Sequence, residues 1–188
     1  MLKQIREFDK HIEVTGFKNV KIKNIEEFLN AVNGEKPIGV DVQFFDARLV
    51  ATWQHLYFAT LNALTAFKNS ENRSKSLAME TMMYASAQRQ IRKAMGFIGI
   101  KPSSSTLAVL AVGEKPENVR KTISIVARCV NSKSDDTVLE LTKEKTATIC
   151  KAFGIGDKEI ETVAEKENSN RAIVDLVIER MALLSTQK

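Results

Sequence analysis

Arg89, Arg92 and Lys93 stand at i, i+3 and i+4, a spacing that puts three cations on one face of a helix. Tyr84, Ser86 and Gln88 lie just upstream, Gln90 falls inside the run, and Arg73 and Lys75 precede the apolar segment that starts at Leu77. Cations hold phosphates, aromatic rings and guanidinium planes stack on bases, and side-chain amides read base edges. The mixture therefore suits single-stranded nucleic acid. Ser86 is placed to cap a helix, and the unpaired N–H groups at a helix start favour an anion such as phosphate. Ile91, Ala94, Met95 and Ile98 fall on the other side and are expected to face a core. The same pattern also describes a solvated basic face on an ordinary amphipathic helix, and Tyr84 equally suits a core position.

Other chemistry finds little support. There is no G-x-S-x-G, no P-loop and no G-x-G-x-x-G. Cys129, Cys150, His11 and His55 show no metal-ligand spacing. Glu26-Glu27 and Asp135-Asp136 belong to a helix start and a polar loop. Glu80, a lone acid on an apolar helical turn, calls for a salt bridge to a nearby Lys or Arg. No base is placed beside a nucleophile. These residues point to a binding protein rather than an enzyme, with no cofactor. The net charge of +5 is compatible with a nucleic-acid partner without requiring one. Two separated thiols, and the lack of an apolar run in MLKQIREFDK, place the chain in the cytoplasm with its cysteines unpaired.

The elements that must position the basic stretch are legible from periodicity. Strands are expected over Met1–Phe8 and His11–Lys18, with a turn near Asp9-Lys10, and over Gly39–Phe45. Asn24 should cap a helix that ends near Asn33-Gly34. Asp46 should cap a long helix, ARLVATWQHLYFATLNALTAF. It is apolar nearly all round but interrupted by Arg48, Gln54, His55 and Asn62, which argues for a central core helix rather than a membrane span. His55 reads as a hydrogen-bonded helix residue. A polar loop, Lys68–Lys75, leads to a helix over Leu77–Tyr84. After a turn at Lys101–Ser105, the run Thr106–Val112 fits a strand buried on both faces. Pro116 opens a helix with Val119, Ile123, Val126, Ala127 and Val130 on its apolar face. A loop at Asn131–Asp136 follows, then helices over Thr142–Phe153, Asp157–Lys166 and Asn170–Leu184. The sum is one α+β domain over residues 1–188, a small, mostly antiparallel sheet covered by helices with a helical C-terminal part.

Taken together, QHLYFATLNALTAF, then AMETMMYASAQRQIRKAMGFIGIK, then LAVLAV, with LVIERMALL near the end, resemble the small kinase-associated regulatory subunits of the KEOPS tRNA-modification complex. These form the PRPK-binding-protein (TPRKB) family, and the match is to its archaeal type. The resemblance implies a non-catalytic subunit that docks on the N-lobe of an atypical small protein kinase. Through that kinase it joins the carbamoyl-transferase subunit. It also implies recruitment of tRNA by its single-stranded 3′ CCA end for threonylcarbamoyladenosine formation. Ser86, Gln88, Arg89, Gln90 and Ile91 match the RNA-facing segment. Arg73, Lys75, Arg92 and Lys93 join them by charge, and Tyr84 by its ring. A kinase-docking face is expected on the last helix (Ile173, Leu176, Val177, Arg180, Met181) or on the Val119–Val130 helix, although a wide apolar stripe equally suits an internal core. The alternative is a purely structural kinase adaptor that never touches RNA.

Overall fold

The computed structural model describes residues 2–164 and 169–186. The chain divides into two compact units, Met1–Ala47 with Gly99–Val138 and Arg48–Ile98 with Leu139–Lys188.

The first unit holds the sheet. Its strands are β1 (Leu2–Ile5), β2 (Lys10–Lys18), β3 (Val40–Asp46) and β4 (Thr106–Gly113), in the order β1-β2-β4-β3. Every pairing is antiparallel, with Val14 opposite Leu110 and Phe44 opposite Val109. β4 is central, and Leu107 to Gly113 are all buried, as an unbroken apolar run demands. The first strand is shorter than expected, because a 3-10 turn occupies Arg6–Phe8 and Asp9 takes a left-handed conformation. Met1 lies outside the described residues.

Two helices cover one face of this sheet, α1 (Ile25–Glu35) and α5 (Pro116–Cys129). Phe28 of α1 meets Phe44 edge to face at 4.9 Å. Val32, Ile125 and Val126 complete that core with Phe17, Leu107 and Val109. Asn24 caps α1 as expected, its side chain accepting the Glu27 N–H. Gly34 does not end the helix. Lys36, forced extended by the following Pro37, does. Asp46 does not cap the long helix, which starts at Trp53 behind Thr52. It closes β3, buried, and accepts a hydrogen bond from Ser104 Oγ at 2.9 Å, which ties the strand to the turn before β4.

The second unit is helical: α2 (Trp53–Lys68), α3 (Leu77–Ala85), α4 (Ile91–Ile98), α6 (Lys143–Phe153), α7 (Asp157–Val163) and α8 (Ser169–Thr186). α2 is its spine, but small residues bury it. Leu56, Ala59, Thr60 and Ala63 are fully covered, whereas Phe58 is 40% exposed. A row of small side chains lets α3 and α8 pack close. α6 starts at its Thr142 cap and stops at Gly154, which is left-handed as a C-terminal glycine should be. The last residues of the helix expected over Asp157–Lys166, Glu165 and Lys166, lie outside the described residues.

The apolar stripe of α8 faces inward, so it is not the open docking surface expected from its width. Ile173, Leu176, Val177 and Met181 are at most 3% exposed. Three of them pack with Ile149, Phe153 and Ile155. Arg180 alone of that set reaches water, paired to Glu159. Cys129 and Cys150 are free and partly buried. Among the described residues, no helix is long and apolar enough to cross a membrane.

Candidate nucleic-acid interface

The basic stretch is built on the junction of α3 and α4. At the end of α3 the Ala87 N–H donates to the Tyr84 carbonyl at 2.8 Å, and the Gln88 N–H to the Met83 carbonyl at 3.0 Å. This is a Schellman turn, and its left-handed position is Ala87, with φ 51°, where glycine is the usual choice. Ser86 is 1% exposed and gives its hydroxyl hydrogen to the Met83 carbonyl. Ser86 therefore closes α3 and does not open the next helix.

α4 begins only at Ile91, so Arg89 precedes it, and the expected i, i+3, i+4 face does not form as one helical face. Its inward side is narrow. Ala94 and Ile98 are fully buried, whereas Ile91 and Met95 are 42% and 51% exposed, contrary to the expected core face. Arg89, Gln90, Ile91, Arg92 and Lys93 form one exposed run that ends in the first turn of α4, where backbone N–H groups lack intrahelical acceptors. Among the described residues Lys75, Arg89, Arg92 and Lys93 have no ion-pair partner within 4.0 Å. Residues 48–98 hold seven Lys and Arg against two acids, which equals the whole net charge of +5.

A buried histidine holds the junction in place. The His55 Nε2–H donates to the carbonyl of Ala85 at 2.8 Å, and Nδ1 accepts the Ala51 N–H at 3.1 Å. Both ring nitrogens are used, which fixes the neutral tautomer. Burial drives its pKa from 6.5 to about 4; the bond to Ala85 pulls it upward and nearby Lys145 adds to the lowering. His55 is the hydrogen-bonded helix residue its setting suggested, and its target is the last residue of α3.

Tyr84 is 4% exposed, so it offers no stacking platform. Burial raises its phenol pKa above the ordinary value, the Glu80 carboxylate adds to the rise, and a hydrogen bond with Arg73 opposes it. The Arg73 guanidinium is also committed to the carbonyl of Leu184 at 3.3 Å, which leaves only its remaining donors for a ligand. Among the described residues Glu80 has no Lys or Arg at salt-bridge distance, contrary to the salt bridge expected of it. Its Oε2 accepts the backbone N–H groups of Arg73 at 3.0 Å and Ser74 at 2.6 Å.

Beside the junction lies a cleft of about 220 Å³. Ser86, Ala87 and Gln88 line one side, Arg180, Leu183 and Leu184 another, and Phe97 and Phe153 a third. The two rings meet edge to face at 5.2 Å. The cleft falls below the ~300–1,000 Å³ usual for drug-sized ligands, which suits one planar group. The sequence did not point to this grouping, because Phe97, Phe153 and Arg180 come from three separate elements, α4, α6 and α8. A wider groove, about 740 Å³, runs along α8 past Arg171, Val174, Asp175 and Ile178 to Phe58 and Leu141.

The chain is 28% identical over 178 residues to the regulatory protein Cgi121 of Methanocaldococcus jannaschii, covering 93% of this chain and 98% of that one. Residues 17–185 match the family described as kinase binding protein CGI-121. This chain, with its helical unit carrying the basic junction, belongs to the CGI-121 family of kinase-binding proteins.

Proposed function

We propose that the chain is a non-catalytic adaptor that binds the small atypical kinase of the KEOPS complex and brings tRNA to it by the unpaired 3′ end. The observation that carries the RNA half is the exposed run Arg89, Arg92 and Lys93, without ion-pair partners among the described residues, which follows directly on Ser86–Gln88 at the wall of a cleft with aromatic sides. Cations there hold the backbone of a single strand while the cleft takes one base. Gln88 and Arg180 at its walls supply donors to a base edge. Through the kinase, the adaptor serves the carbamoyl transferase that makes threonylcarbamoyladenosine.

The kinase half rests on family membership and on the outer groove of α8. Phe58, Leu141 and Ile178 give it an apolar floor, and Arg171, Asp175 and Glu140 a charged rim. That anatomy suits a stable protein contact. The buried stripe of α8 then supports the groove from behind. The two surfaces use successive turns of one helix, Arg171 to Ile178 for the kinase and Arg180 to Leu184 for the RNA cleft.

A gel-shift series with intact tRNA and tRNA trimmed of its CCA end tests the RNA half. Binding should weaken as salt rises and be lost on trimming. Equal binding of both would mean a general basic surface. No binding of either, with the kinase still captured, would leave a purely structural adaptor.

A further inference from the structure

Glu80 is a carboxylate with no solvent contact and no cationic partner at salt-bridge distance among the described residues. Burying an ionisable group this way is unfavourable unless it is well bonded. Its Oε2 accepts two consecutive backbone N–H groups, from Arg73 and Ser74, while Oε1 has no hydrogen-bond partner. Its position in the first turn of α3 adds a favourable dipole. The acid is thus used to hold backbone.

The backbone it holds is the loop that carries Arg73 and Lys75. Ser74 between them is 6% exposed and anchored. Its hydroxyl oxygen accepts the Ser76 N–H, its carbonyl accepts from Asn72 Nδ2, and Ser76 caps α3. With Ser74 turned in, both flanking cations are exposed. A polar loop of this composition would otherwise be ordered at the expense of binding.

We infer that Glu80 is a positioning residue for RNA. It touches no ligand, but it presets the loop that presents Lys75 and the free donors of Arg73 to the phosphates of a single strand. The inference rests on the RNA reading above. It makes a prediction of unusual sign. Removing a negative charge near a polyanion site should strengthen binding by simple electrostatics. Losing a positioning carboxylate weakens it.

The test is a tRNA-binding titration across salt for the full-length wild type, Glu80→Gln, Lys75→Ala, their combination, and Arg89→Ala/Arg92→Ala. Glu80→Gln should weaken binding by about tenfold, the worth of one charge-assisted hydrogen bond. It should also flatten the log–log salt slope by roughly 0.7 to 1.4, one to two phosphate contacts on a single strand. In the Lys75→Ala background its effect should shrink, because it acts through the loop. Unchanged or tighter binding by Glu80→Gln, with Lys75→Ala and Arg89→Ala/Arg92→Ala both weakened, would overturn this inference and leave the RNA reading standing. If none of these variants alters binding, the RNA reading itself falls and takes the inference with it. Should Glu80→Gln fail to fold, amide exchange in the wild type decides. Arg73 and Ser74 protected as well as α3 support the inference, and exchange at free-loop rates overturns it.

Discussion

The two units distribute their charge differently. The sheet unit carries 13 Lys and Arg against 12 Asp and Glu and binds several of them internally, Lys10 to Glu114, Lys18 to Asp135 and Arg128 to Glu35. The helical unit carries 15 against 11, and its excess lies in residues 48–98, where Lys75, Arg89, Arg92 and Lys93 have no ion-pair partner among the described residues. Exposed ion pairs contribute little to stability, so the sheet unit gains little by pairing its own. What matters is the other side of the comparison. Cations left unpaired around one helix junction keep their field for a ligand, whereas paired ones cancel it.

Four perturbations break or sharpen that contrast. The largest concerns the histidine under the junction. His55 titrates near 6.5 in the unfolded chain and about 4 in the folded one, so the unfolded state takes up the proton first. Stability is whole above pH 6.5 and falls as the pH drops toward 4, by roughly 3 kcal/mol in all. Urea melts at several pH values should show this slope, flattened in His55→Gln, with amide exchange rising in α2 and α3 before the sheet. A flat wild-type profile would mean the ring is not held neutral.

Kinase docking comes next. Phe58→Asp should reduce kinase affinity by about 2 kcal/mol, as loss of an interface anchor does. Lys121→Glu on the exposed side of α5 should leave it unchanged in the same pull-down. The reverse pattern would move the docking face to the sheet unit. Third, Arg89→Ala with Arg92→Ala should lower tRNA affinity at least roughly tenfold at low salt, and Lys21→Ala with Lys23→Ala should cost less than about twofold. Equal losses would erase the contrast between units. The smallest effect is at Ala87. Replacing it with Gly relieves a left-handed residue and should raise stability by about 1 kcal/mol in thermal melts.

Much of the architecture was legible because it follows local rules. The alternation of β2, the apolar run of β4, the Asn24 cap and the proline at the start of α5 each depend on a few neighbouring residues. Misreadings arose where one residue type serves two purposes. Ser86 suits a helix start by type, but its hydroxyl points back to Met83. Asp46 looks like a cap yet bonds Ser104, 58 residues away. The wide stripe of α8 could have been surface or core, and only its tertiary packing against α2, α3 and α6 decides for core. Tyr84 suits a stacking ring by type but is buried, and the rings at the cleft are Phe97 and Phe153. No periodicity links those two, since their juxtaposition is tertiary. The cations themselves were legible, because exposure is what charge already predicts.

The central claim is that RNA meets the helical unit at the α3–α4 junction. Photo-crosslinking with a tRNA carrying a photoreactive base at its 3′ terminus addresses it directly. Crosslinked peptides should span Ser86–Lys93 and Arg180–Leu184 and be lost when Arg89 and Arg92 are both alanine. Crosslinks confined to the sheet unit, or unchanged in that double variant, would contradict it.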